Sequence, residues 1–285
     1  MPEPLAVTTV SLPGGETIWY RRAGSGVPVL HIHGSAFGHR NFERLTPFVA
    51  ADFEVIDFDL PGYGQSSGAP REGGLEGIAD QVREFIGTLG LAPVHAHGTS
   101  FGAMVALILA AKYPKSVDRL VLSCFLARYD GAARMMRATW RRAARDSGMA
   151  AVSDLTAVAG FGRAFYEREE AEAQLASMRE AFSRTDPDAF VRGTKMLEHV
   201  DLSPWARRIR TPSLLIAGEE DNMTPFSPAG SGIGFSKIQH MIPGCELAVL
   251  PDCGHYLVLE QPEATAALVR KFLRAGPTIK PAGRP

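Results

Sequence analysis

Along the first part of the chain, short apolar runs alternate with longer segments whose apolar residues recur every three or four positions. Thr17 to Arg21, Val27 to Ile32 (VPVLHI), Phe53 to Phe58 (FEVIDF), Pro93 to His97 and Leu120 to Cys124 (LVLSC) read as strands. Asn41 to Ala51, Leu75 to Leu89 and Phe101 to Tyr113 read as helices, the last stopped by Pro114. Strands that alternate with helices of this length predict a parallel sheet with right-handed crossovers. The alternation stops after Cys124. Residues 127–204 carry no strand signal but several amphipathic, charge-rich stretches, among them Ala133 to Arg145 and Glu167 to Phe182. Strand signals return at Ser213 to Ala217 (SLLIA) and Glu246 to Leu250 (ELAVL), and a final helix runs from Pro262 to Arg274. The pattern predicts one α/β core, residues 1–126 and 205–274, interrupted by a helical insertion at 127–204. The end of the chain, 275–285, is rich in Pro, Gly and cations and reads as a flexible tail.

Composition narrows the function classes. A length of 285 residues suits one domain with an insertion, and 45% hydrophobic against 21% charged residues is enough for a large core. Thirty Lys and Arg balance 31 Asp and Glu, leaving a formal charge of −1. That removes the cationic surplus that nucleic acid or an anionic membrane surface would require. No apolar run approaches the length of a spanning helix, and Met-Pro-Glu-Pro has none of the features of a signal peptide. The three cysteines, Cys124, Cys245 and Cys253, form no CxxC pair and no disulfide framework. The expectation is a cytoplasmic protein that acts on a small molecule, with no nucleic-acid or membrane partner.

Two segments match Gly-x-Ser-x-Gly: Gly98-Thr99-Ser100-Phe101-Gly102 and Gly64-Gln65-Ser66-Ser67-Gly68. Chance alone supplies roughly one such match in every six chains of this length, so context decides. A nucleophile elbow needs a strand before the serine and a helix after it. Ser100 has both, whereas Ser66 lies between Pro61-Gly62-Tyr63 and Gly68-Ala69-Pro70, with loop on either side. Ser100 is the candidate nucleophile and Ser66 a turn residue.

A serine hydroxyl needs a base, and the base an orienting acid. Of eight histidines, His255 is the last in the chain and follows the strand ELAVL through a short loop. Asp221, directly after the strand SLLIA, is the candidate acid; Asp252 and Glu220 are the alternatives, with Glu219 in the same loop. Two N–H groups should receive the developing oxyanion. Phe101 follows the nucleophile at a helix N-terminus, and Ser35 follows His33-Gly34 after an early strand. No metal cluster, phosphate loop or dinucleotide fingerprint competes. Gly230-Ser231-Gly232-Ile233-Gly234 follows no strand and has the wrong spacing, so no cofactor is expected.

Taken in order, His33-Gly34, Asp59-Leu60-Pro61-Gly62-Tyr63-Gly64-Gln65-Ser66, the Ser100 elbow, Gly218-Glu219-Glu220-Asp221, Gly254-His255 and Glu260-Gln261-Pro262-Glu263 resemble the α/β-hydrolase family over residues 27–274. The resemblance implies a mostly parallel eight-stranded sheet with a helical cap inserted after the sixth strand. Among its members the chain is most similar to small esterases and enol-lactonases with a serine nucleophile. Haloalkane dehalogenases and epoxide hydrolases of this family use aspartate where Ser100 stands. Carbon–carbon hydrolases share the serine, but usually have a glycine-rich run where Ser35-Ala36-Phe37-Gly38 stands and Trp where Tyr256 stands. The leading expectation is an ester or lactone hydrolase working through an acyl-enzyme. Carbon–carbon hydrolysis of a diketone-type substrate, or a ligand receptor without turnover, are the alternatives.

Two further features have structural readings. Arg134, Arg137, Arg141 and Arg145 recur at helical spacing opposite Met136 and Trp140, and read as the solvated face of an amphipathic helix. A carboxylate-recognition surface is the alternative. Cys124 reads as a small buried hydrophobe.

Overall fold

The computed structural model describes residues 7–275. The proposed tail therefore lies outside the described residues, apart from Ala275. Eight strands form one sheet: β1 (Val7–Ser11), β2 (Thr17–Ala23), β3 (Pro28–Ile32), β4 (Glu54–Phe58), β5 (Val94–Thr99), β6 (Val117–Ser123), β7 (Ser213–Gly218) and β8 (Glu246–Leu250). Their order across the sheet is β1-β2-β4-β3-β5-β6-β7-β8. β2 pairs antiparallel with β1 and β4, and every other pairing is parallel. β1, VTTVS, has no apolar run and was not visible in the hydrophobic pattern; pairing along β2 from Val7↔Arg21 to Ser11↔Thr17 makes it a strand.

Helices cover both faces of the sheet, which keeps its central strands fully buried. On one face lie α2 (Leu75–Thr88) and α3 (Phe101–Lys112); on the other lie α1 (Thr46–Val49) and α11 (Pro262–Arg274). α3 is buried along nearly its whole length, which accounts for its all-round apolar sequence. The helix expected over 41–51 is instead a 3₁₀ turn, Gly38–Phe42, and the single turn of α1. Pro47 in the first turn of α1 has no N–H to carry an earlier helix through that point.

Between β6 and β7 the chain forms α4 (Gly131–Asp146), α5 (Gly148–Gly160), a 3₁₀ turn at Arg163–Glu167, α6 (Ala171–Ser183), α7 (Pro187–Met196) and α8 (Ser203–Ala206). The expected helix at 167–182 thus starts later, after the 3₁₀ turn. Isolated bridges from Arg128 to Asp201 and Ile233 tie the two ends of this stretch together. Its apolar residues pack with Phe37, Met223 and Tyr256 into a separate cluster above the C-terminal edge of the sheet. Short α9 (Phe235–Ile238) and α10 (Leu257–Glu260) complete the chain order.

Candidate active site

Four loops at the C-terminal ends of parallel strands build the site. They follow β3, β5, β7 and β8, where a parallel α/β sheet opens toward ligands. Ser100 occupies the one-residue turn between β5 and α3, with φ 54° and ψ −116°, in the left-handed half of backbone space. A tight approach makes that turn possible: a Cβ on Gly98 would lie 2.4 Å from the Gly102 carbonyl oxygen, and one on Gly102 would lie 2.0 Å from that of Ile32. The Ser100 N–H donates to the Ser123 carbonyl at 2.8 Å, pinning the turn to the end of β6.

His255 reaches Ser100 from the loop after β8. Its Nε2 lies 3.0 Å from Ser100 Oγ, and its Nδ1 lies 3.0 Å from Asp221 Oδ2. Asp221 is 4% exposed and its Oδ1 accepts the main-chain N–H groups of Met223 and Thr224 at 2.9 and 2.8 Å. Burial works against its charge, but the His255 imidazole and the Thr224 hydroxyl and N–H hold the carboxyl below the usual range. An ionised Asp221 keeps the proton on His255 Nδ1, leaving Nε2 to accept from Ser100. The alternative acids lie elsewhere. Asp252 and Glu219 are exposed, and Glu220 accepts the Arg163 N–H at 2.6 Å.

Ser35 and Phe101 both line the cavity beside Ser100. Pairing of β3 with β5, with Ile32 opposite Gly98, puts the two loops side by side. Asn41 holds the Ser35 loop by accepting the Gly34 N–H at 2.7 Å, and His33 holds it from below by bonding the Gly34 carbonyl at 2.7 Å. Among the described residues, neither the Ser35 nor the Phe101 N–H donates to a protein acceptor.

Ser66 is committed to structure. Its hydroxyl donates to the Asp59 carbonyl at 2.6 Å and accepts from Trp19 N–H at 2.9 Å, with no imidazole bonded to it. Cys124, buried and with its thiol pushed well up by burial, lies with Asp221 and His255 so that their donor atoms fall within 4.8 Å. The Asp221 and His255 atoms of that trio already bond each other and Ser100, so the arrangement is occupied by hydrogen bonding.

The model of the Alpha/beta hydrolase family matches residues 29–268. The chain belongs to the α/β-hydrolase family. Its relatives do different chemistry on this scaffold. Pyrrolizixenacetamide deacetylase of Xenorhabdus hominickii is 28% identical over 91% of this chain and 96% of that protein. The 2-hydroxy-6-oxononadienedioate/2-hydroxy-6-oxononatrienedioate hydrolase 1 of Dechloromonas aromatica is 27% identical over 89% of each chain. The crystal structure of the enol-lactonase from Burkholderia xenovorans superposes with a TM-score of 0.83 at 22% identity, covering 94% of this chain and all of that one. That last likeness concerns the fold.

Within this α/β-hydrolase, the cavity over Ser100 measures about 50 Å³ and is roofed by the inserted helices. Arg137 and Trp140 of α4, Phe182 of α6 and Phe190 of α7 line it. The arginine face of α4 is therefore not solvated as a whole. Ala133, Arg137, Trp140 and Ala144 form its buried stripe, while Arg145 is exposed. Packing of α4 against α5 and α7 selects that stripe, and helical spacing alone does not contain this information. A larger cavity of about 470 Å³ adjoins it and shares Ser35, Phe37, Phe190 and Thr194 with it.

The sequence assigned no role to three supporting residues: Asn41, Thr224 and Glu260, the last of which entered only as part of a family motif. Thr224 Oγ1 bonds Asp221 Oδ2 and lies 3.1 Å from His255 Nδ1. Glu260 Oε2 accepts N–H groups of Gly254 at 3.0 Å and Gly162 at 3.2 Å, joining the loop of His255 to the inserted helices. Burial pushes its carboxyl above the usual range.

Proposed function

We propose that the protein is a serine hydrolase that cleaves a carboxylic ester or lactone through an acyl-enzyme. The observation that carries this reading is the continuous Ser100–His255–Asp221 hydrogen-bond chain, with both contacts at 3.0 Å, at the floor of a cavity. Ser100 Oγ attacks the carbonyl carbon as its proton passes to His255 Nε2. Asp221 stabilises the imidazolium so formed. The carbonyl oxygen, now carrying the charge, points at the N–H groups of Ser35 and Phe101, the second at the N-terminus of α3, where the helix dipole favours an anion. His255 returns its proton to the leaving alkoxide oxygen. Water then enters by the same route, giving its proton to His255 as it attacks the acyl-enzyme, and Ser100 is released with the proton.

The small cavity favours a short acyl group, and the adjoining cavity gives the alcohol side more room. Relatives named for ester and amide cleavage support this class. Carbon–carbon hydrolysis is the second reading, favoured by the likeness to the Dechloromonas protein. A fluorophosphonate labelling experiment, followed by peptide mapping, tests the proposal. The adduct should sit on Ser100 and be absent from Ser66, and 4-nitrophenyl acetate should show a burst of nitrophenol. An adduct on Ser66, or turnover that survives Ser100→Ala, would overturn it. Turnover of a vinylogous diketone without turnover of any simple ester would transfer the assignment to the second reading.

A further inference from the structure

Arg137 is 6% exposed, yet among the described residues it makes no ion pair. Arginine is rarely buried to this extent without a charged partner, because the guanidinium loses its hydration. What surrounds it offsets that loss only in part. Its guanidinium carbon lies 3.9 Å from the centre of the Tyr129 ring and 5.4 Å from that of Trp140, and Nη1 donates to the Ala133 carbonyl at 3.2 Å. A guanidinium has five N–H donors, and this bond uses one. Arg141, about one turn further along α4, has its acid in Glu198 at 3.5 Å. Arg137 instead lines the cavity over Ser100, and none of the residues that line this cavity is acidic.

We infer that Arg137 is the receptor for a substrate carboxylate, so that the preferred substrate is an ester or lactone bearing a second, ionised carboxyl group close to the reacting carbonyl. This rests on the reading of Ser100 as nucleophile, because the anion site and the nucleophile open into one cavity. Three features fit the role. The guanidinium is planar and matches a carboxylate through two parallel N–H···O bonds. The Tyr129 and Trp140 rings beside it help hold its orientation while contributing no competing anion. The cavity, about 50 Å³, holds the two ends of the substrate close together, which selects short acids.

Two arms test the inference and separate it from the reading beneath it. The first compares kcat/KM for monomethyl glutarate with that for methyl 5-oxohexanoate, which has a neutral acetyl group in place of the carboxylate. The wild type should prefer the glutarate ester, and Arg137→Gln should lower that preference by roughly 10- to 100-fold, the range for a hydrogen bond to a charged group. Arg137→Lys, which retains charge but not the fork, should fall between them and serves if Arg137→Gln does not fold. The second arm measures binding of glutarate by calorimetry to Ser100→Ala and to Ser100→Ala/Arg137→Gln, with no turnover involved. Glutarate should bind the first and not the second. A wild type that prefers the neutral ester, an unchanged preference in folded Arg137 variants, or glutarate binding that survives Arg137→Gln overturns the inference while leaving the serine mechanism standing. Arg137-dependent glutarate binding in a protein that hydrolyses neither ester upholds the anion site and removes the ester reading.

Discussion

Replacing Asp221 by asparagine would change charge and tautomer at the candidate site while keeping its shape. Oδ1 of Asp221 accepts the Met223 and Thr224 N–H groups at 2.9 and 2.8 Å, and these main-chain donors cannot turn away. In asparagine only the carbonyl oxygen can take that place, so the amide NH₂ must occupy the position of Oδ2, facing His255 Nδ1. Two donors cannot face each other, and the imidazole answers by accepting at Nδ1 and carrying its proton on Nε2. Nε2 then donates toward Ser100 and no longer serves as a base. The expected loss in kcat is roughly 10²- to 10⁴-fold, or about 3–5 kcal/mol of transition-state stabilisation. KM should change little, because Asp221 does not line the cavity. Asp252→Asn, Glu219→Gln and Glu220→Gln should each lower activity less than about tenfold, since their charges lie away from the imidazole and are screened. Steady-state kinetics on an activated ester for all four variants makes the comparison, with thermal melts to separate lost chemistry from lost structure. Near wild-type turnover in Asp221→Asn, together with collapse of Asp252→Asn or Glu220→Gln, would refute the argument.

Gly102→Ala would place a methyl group 2.0 Å from the Ile32 carbonyl oxygen and 2.5 Å from that of His33, both backbone atoms leading into the Ser35 loop. It should cost about 3 kcal/mol in a urea melt and displace that loop from Ser100, lowering kcat as well; a stable, fully active variant would contradict the close approach. Glu16 supplies a pH signature. Hydrogen bonds from Arg71 hold its carboxyl down at about 2, against 4.5 for an unperturbed glutamate. Its folded form thus stays ionised where the unfolded form binds a proton, so this stabilisation is complete above pH 4.5 and is lost as pH falls toward 2. Glu16→Gln should flatten the acid limb of stability in that window, and an identical slope in wild type and variant would show that the pairing contributes nothing.

The elements with strong short-range signals were legible without coordinates. The strands β3 and β7 announce themselves because buried parallel strands are nearly all apolar, β8 by the apolar run ELAVL although it lies half exposed at the sheet edge, and α3 because a helix enclosed on every side is apolar on every side. Ser100 could be separated from Ser66 for the same reason: an elbow is a local event, in which strand, turn and helix follow within a few residues. His255 and Asp221 followed from chain order and from their positions after strands. What sequence could not contain is which side of an element meets which neighbour. β1 lacks an apolar run and becomes a strand only by pairing with β2. Glu260 gains the Gly162 N–H from a loop 98 residues away in the chain, beside that of nearby Gly254. Arg137 is the sharpest case. Helical spacing placed it among four arginines on one expected solvent face, and only the packing of α4 against α5 and α7 turned it toward the cavity over Ser100. A periodic pattern fixes angles around a helix axis, but the rotation of that helix about its axis is set by the partners it packs against, and those are fixed in tertiary structure alone.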